Sequence, residues 1–388
     1  MYISRYLEEK IKESLINHKV LFLLGARQVG KTTLIEHILS GAAGNMLNLD
    51  IDVDRAKLTA ASKLSPAEAM RTLRAGQVLV VDEAHRLPNI GRICKGWYDA
   101  HVTPKIILLG SSSANLLDTA SAELAGRNEK LWLTPLLFSE ILHQQDWYSS
   151  SYQPADLHRN FPEQVHSLLQ GRLVYGQYPE AYLTANPEQY LANLSHDYLL
   201  KDIFTSSIVR SPEDVSRLLL ELGKEIGHTI SILQLATRLQ LSRQTVQRYL
   251  DLLSGIFVIF SLPAYATNSI KEVNRSQKYY FWDNGVLNAL RGIWSLPQSR
   301  RDIDSLWQNY IIAEIFKQSR TFNRQEQLYF WQSRNDFTVD LVVKQGDILH
   351  PFNIRFDSTA KAPSATFKRM YQVTPQTIHP NNFLEYLL

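Results

Sequence analysis

The stretch "LLGARQVGKTTLIEHIL", Leu23 to Leu39, decides how the rest of the chain is read. A continuous apolar run, "VLFLL" (20–24), leads into it, and residues at helical spacing follow it. Between the two lies Gly25-Ala26-Arg27-Gln28-Val29-Gly30-Lys31-Thr32, which meets G-x-x-x-x-G-K-[ST] at every fixed position. The glycines let the backbone bend so that successive N–H groups face one anion. That anion then sits at the positive end of the following helix. Lys31 is expected to reach the β- and γ-phosphates, and the Thr32 hydroxyl to ligand Mg²⁺. With Thr33 beside them, residues 25–33 form the expected cradle for ATP with Mg²⁺.

Outward from the loop, apolar bursts alternate with helical segments over the first 145 residues, as in a parallel α/β sheet. The expected strands are "VLFLL" (20–24), "NMLNLDI" (45–51), "VLVVD" (78–82), "KIILLG" (105–110) and "KLWLT" (130–134). Asp82 ends a buried apolar strand, where a phosphate-loop enzyme holds magnesium. Glu83 would then polarise the attacking water, a second carboxylate that a hydrolase needs and a kinase does not. His85 reads as a loop residue. Ser111 and Ser112 follow the next strand, as a reporter of the γ-phosphate or as a helix N-cap. Arg127 either stabilises transition-state charge on a neighbouring subunit's nucleotide or faces solvent.

With 388 residues, 45% hydrophobic and 20% charged, the chain has material for two or three domains. A net charge of +3 does not by itself announce a nucleic-acid binder. The single cysteine, Cys94, rules out an internal disulfide and a multi-cysteine zinc site. "MYISRYLEEKIKESL" reads as an amphipathic helix and not as a signal peptide. No apolar run approaches the ~18 residues of a membrane helix, so a soluble, cytoplasmic protein is expected.

"GARQVGKTTL", "VVDEAHRLPN", "LLGSSS" and "LAGRNEKLWLTPLLFSEIL" together resemble AAA+ ATPases of the archaeal-ATPase branch, close to the signalling NTPases. More narrowly, they resemble the prokaryotic group in which this module precedes a C-terminal domain of unknown function. "YGQYPEAYL", "YLLKDIF", "KYYFWDNGVLNALRG" and "FTVDLVV" extend the likeness along nearly the whole chain. The resemblance implies a P-loop NTPase sheet in the order 5-1-4-3-2 with ATP at its C-terminal ends. It also implies a helical lid and a small α/β domain like a restriction endonuclease. The expected division is 1–145 for the ATPase core, 146–225 for the lid, 226–297 for a winged helix-turn-helix and 298–388 for the nuclease-like domain.

In the third segment, Ile232, Leu235, Ala236 and Leu239 mark one helix face, and Ser242 can cap a second helix carrying Val246, Tyr249, Leu250 and Leu253 inward. A β-rich wing is expected at "IFVIFSLP". The second helix turns Arg243, Gln244, Gln247 and Arg248 outward, side-chain types that read guanine and adenine edges. His228 to Lys278 holds six Lys/Arg against two Asp/Glu, so a DNA surface and a structural or protein-binding role both stand open. In the last segment "LWQNYIIAEIFKQ" reads as an amphipathic helix carrying Glu314. Asp340 matches the first nuclease position of the resemblance, but its E-x-K is Asn353-Ile354-Arg355 here. Asparagine is a neutral Mg²⁺ ligand and arginine cannot accept a proton, so an inactive domain is expected.

The reading is an ATP-binding, ATP-hydrolysing AAA+ protein whose nucleotide state switches C-terminal contacts with a protein or DNA partner, with homo-oligomers as one form. The alternative is a DNA-binding regulator or defence-type protein that keeps ATP as a ligand. Helicase activity would need a second P-loop-sized unit, which the sequence lacks.

Overall fold

The computed structural model describes residues 2–40, 43–111, 120–198, 209, 211–266, 277–333, 337–358 and 365–388. Ser112 and most of "YLLKDIF" lie outside them.

The chain divides into two compact units, one of Tyr2–Thr134 with Gly255–Phe257, the other of Pro135–Ser254 with Val258–Leu388. In the first, β1 (Val20–Leu24), β2 (Gly44–Asn48), β3 (Val78–Asp82), β4 (Lys105–Gly110) and β5 (Asn128–Trp132) form one sheet in the order β2-β3-β4-β1-β5. Every pairing is parallel. Read from its other edge this is 5-1-4-3-2, the order the resemblance implied. β1, β3 and β4 are buried at every position, which explains their unbroken apolar runs. The two edge strands depart from expectation. β2 ends at Asn48, because Asn48 Oδ1 accepts from the Asp50 N–H at 2.9 Å and turns the chain. β5 begins two residues earlier than "KLWLT", with four partly buried positions and an exposed Lys130.

Proline opens five helices in the first part of the second unit. Pro154, Pro162, Pro179, Pro187 and Pro212 each stand in the first turn, where the missing N–H has no intrahelical partner to lose. Helices then span Ile232–Leu239 and Arg243–Gly255, joined through Gln240 at φ 58°, and the Ser242 hydroxyl accepts from the Thr245 N–H at 3.1 Å. β6 (Ile259–Pro263) and β7 (Gln277–Phe281) follow as an antiparallel pair, and Ile230 bridges to Gln277. The strand begins at Ile259, three residues later than "IFVIFSLP", because Phe257 takes φ 62° and Ile256 and Phe257 belong to the first unit. There the Phe257 ring meets Trp132 edge-on at 5.7 Å.

The last part carries the sheet β11-β10-β9-β8, built from β8 (Gln327–Gln332), β9 (Thr338–Gln345), β10 (Ile348–Ile354) and β11 (Gln376–Ile378). The helix Ile303–Thr321 corrects an expectation. Read as amphipathic, it is buried on nearly all sides, including Gln308, Asn309, Glu314, Lys317 and Gln318. Its polar residues bond to remote backbone instead of water. Asn309 accepts from the Phe281 N–H at 2.8 Å and donates to the Phe281 carbonyl at 3.1 Å, standing in for a strand beside β7. Glu314 and Lys317 form a fully buried ion pair; Glu314 accepts from the Phe138 N–H at 3.0 Å and Lys317 donates to the Leu136 carbonyl at 2.9 Å. "YGQYPEAYL" and "FWDNG", two of the stretches on which the resemblance rests, belong to the same network. Asp283 accepts from the N–H groups of Gln177 (2.6 Å) and Gly285 (2.8 Å). A β-carbon on Gly176, whose φ is 65°, would stand 1.9 Å from Asp283 Oδ1, so that position takes glycine alone.

Candidate functional site

Register across the sheet assembles the site. Phe22, Leu108 and Val81 are level on β1, β4 and β3. Consequently the loop from Gly25, Ser111 after β4, and Asp82-Glu83 on β3 emerge along one edge, the C-terminal edge of a parallel sheet. Leu24 hands over to residues 25–30, and the helix Lys31–Ile38 starts at once. The loop can turn this tightly because Gln28 and Gly30 both take left-handed backbone, at φ 60° and 92°. Gly25 is demanded by packing, since a β-carbon there would lie 2.0 Å from the Leu133 carbonyl oxygen. Gly25, Ala26 and Val29 are buried, Arg27 is half-buried, and Gln28 and Thr33 are exposed.

Lys31 is buried, and its ammonium donates to the Gly25 and Ala26 carbonyls at 2.9 Å each, inside the loop's own curl. Thr32 Oγ1 donates to Asp82 Oδ2 at 2.7 Å. A hydroxyl and a carboxylate oxygen held so close are the hard-oxygen pair that Mg²⁺ takes, so these residues fit that ion. Asp82 Oδ1 accepts from the Glu83 N–H at 2.8 Å and so fixes the turn into the next residue.

Glu83 has left-handed backbone, φ 49°, uncommon for a residue with a β-carbon and characteristic of functional turns. Its Oε2 accepts from Ser111 Oγ at 3.0 Å and lies 3.2 Å from His85 Nδ1. Burial pushes the carboxyl upward, but His85, the Lys31 charge and the Ser111 hydroxyl outweigh it and hold the pKa at about 2. Glu83 is therefore an anion at any physiological pH. His85, expected as a loop residue, lies against Glu83, two residues after the acid. Arg5 was not singled out at all. It is buried, and its guanidinium donates to Val29 O at 3.1 Å and Thr134 O at 2.7 Å.

Arg127 is not part of this cluster. Its Nε donates to Asp99 Oδ1 at 2.7 Å, and its carbonyl accepts from the Val20 N–H at the start of β1. The loop lies at the other end of β1, a strand length of roughly 15 Å away. Arg243, Gln244 and Arg248 are exposed on their helix, whereas Gln247 is half-buried and donates to Asp251 at 2.8 Å. In the last sheet, Asp340 Oδ2 accepts from the Ile354 N–H at 2.8 Å and from Arg355 Nη1 at 2.6 Å. A guanidinium thus takes up the charge of the one carboxylate expected at a nuclease centre. Among the described residues, no group of three or more His, Cys, Asp or Glu is placed to hold a metal. No helix among them is long and apolar enough to cross a membrane.

A model described as an AAA domain matches residues 17–142. Two described as domains of unknown function, DUF8612 and DUF4143, match 166–296 and 304–382. Uncharacterised proteins of Mycobacterium bovis and Mycobacterium tuberculosis are each 26% identical over 357 residues, 90% of this chain and 73% of theirs. Among solved structures, a Walker-type ATPase of Pyrococcus abyssi matches with a TM-score of 0.52 at 18% identity, over 75% of this chain and 96% of that one. That likeness is one of fold.

Proposed function

We propose that this chain, an AAA-domain protein with a C-terminal domain of unknown function, binds ATP with Mg²⁺ and hydrolyses it. The observation that carries the reading is the convergence of Thr32, Asp82, Glu83 and Ser111 at the mouth of the loop. Thr32 and Asp82 would hold Mg²⁺, which supplies positive charge to offset that of the phosphates. Lys31 and the N–H groups of residues 25–33 bind the triphosphate. Glu83, ionised and one residue beyond the metal ligand, orients and polarises water, and Ser111 shares its carboxylate. Arg127 sits too far from its own loop to serve it, so any charge it contributes goes to a neighbouring copy in a homo-oligomer. The nucleotide state then switches contacts of the C-terminal segments with a macromolecular partner, with 146–225 as lid and 226–297 as winged helix, in the cytoplasm.

A second reading has one supporting observation: Arg243, Gln244 and Arg248 stand exposed on a helix that follows a capped turn. It is a DNA-binding regulator or defence-type protein that keeps ATP as a ligand. Two measurements decide between them. ATP titration of wild type should show saturable binding that Lys31→Ala removes. Phosphate release should continue in wild type and fall by roughly 10²–10³-fold in Glu83→Gln, which still binds ATP. Tight binding without release in wild type supports the second reading. Absence of ATP binding in wild type removes both.

A further inference from the structure

Arg5 lies ahead of the residues that the AAA model covers, and its side chain is 7% exposed. Its Nη1 reaches Val29 O inside the phosphate loop and its Nη2 reaches Thr134 O just beyond β5. Val29 sits between Gln28 at φ 60° and Gly30 at φ 92°, so the loop turns on both sides of that carbonyl. In a trans peptide the C=O and the following N–H point in opposite directions. Holding the Val29 oxygen on the guanidinium therefore turns the Gly30 N–H away from Arg5. The start of the loop rests on the same stretch, because Gly25 lies flush against the Leu133 carbonyl.

The geometry points to Arg5 as a positioning residue for the phosphate loop: it presets the Gly30 N–H toward the phosphates of a bound nucleoside triphosphate. The planar fork spans two carbonyls from distant parts of the chain. A lysine at this position brings the charge but not the fork. The inference rests on the nucleotide reading above and assigns that reading a residue outside the motif.

The test uses the full chain, a fluorescent ATP analogue with Mg²⁺, and thermal melting without nucleotide. Arg5→Lys should raise the analogue's Kd roughly tenfold, as expected when only about a tenth of the loops are preset for binding, with a modest drop in its nucleotide-free melting temperature. Arg5→Ala should weaken binding further. If it fails to fold, Arg5→Lys alone carries the test. Binding by Arg5→Lys within twofold of wild type overturns the inference. So does a loss of affinity matched by a collapse of the melting temperature, which marks a purely structural arginine. Failure of wild type itself to bind overturns the nucleotide reading together with this inference, whereas wild-type binding with indifferent variants overturns this inference alone.

Discussion

The polar residues of the two units are used in opposite ways. Around the loop, Thr32 bonds to Asp82 and Ser111 to Glu83, while Lys31 rests on the loop's own carbonyls, all through contacts that a ligand can replace. In the second unit, Asn309, Glu314, Lys317 and Asp283 bond to backbone groups from distant parts of the chain. The first arrangement is poised for exchange and the second closes on itself. Sequence motifs look alike in both, so a motif that marks a family can be a construction detail as readily as a site.

The largest expected break of this comparison is Asn309→Ala. It strands the N–H and C=O of Phe281 and should destabilise the second unit by about 3–5 kcal/mol, seen as an early calorimetric transition. ATP affinity of the protein below that transition should not change; a parallel loss of affinity would mean the second network also serves the nucleotide site. Next comes pH. The Glu83 pKa lies below the ordinary carboxylate value, so its stabilisation is complete above about pH 4.5 and is lost as pH falls toward 2. Urea midpoints taken at pH 6 and pH 3 should differ less for Glu83→Gln than for wild type. An equal difference would mean that Glu83 is not held as described.

Asp340→Ala removes the acceptor of the Ile354 N–H and the carboxylate partner of Arg355, which keeps only the Ile354 carbonyl for its Nη1. It should lower stability by about 1–3 kcal/mol while changing no Mg²⁺-dependent nicking of duplex DNA. Nicking by wild type that this variant abolishes would reverse the assignment of Asp340 to structure. The smallest effect is expected from Arg127→Ala. Its exposed pair with Asp99 contributes about 0–1 kcal/mol, and ATP affinity should stay within roughly twofold. Turnover should fall only at concentrations where copies associate; a fall at high dilution would place Arg127 at its own nucleotide.

What could be read from the sequence follows burial. β1, β3 and β4 are apolar on both faces, and their expected bounds match the structure residue for residue. The edge strands β2 and β5 shifted because solvent covers part of them and the apolar signal blurs. Residues 25–33, Asp82 and Glu83 stand out in the sequence because their spacing is local and fixed, and the structure brings Thr32, Asp82, Glu83 and Ser111 together. Arg5 was not, since its acceptors are carbonyls at positions 29 and 134, and a carbonyl has no letter of its own. The helix Ile303–Thr321 was misread for the same reason: its Asn, Glu and Lys look like a wet face until their distant backbone partners are known.

Phe257 has a practical consequence for anyone who wishes to study the nucleotide-binding half in isolation. The first unit is discontinuous in sequence, and a protein ended at Thr134 would lose the ring that covers Trp132. Such a fragment would bare an indole to water and invite self-association. Any oligomer it formed should be compared with the intact chain before being taken as native.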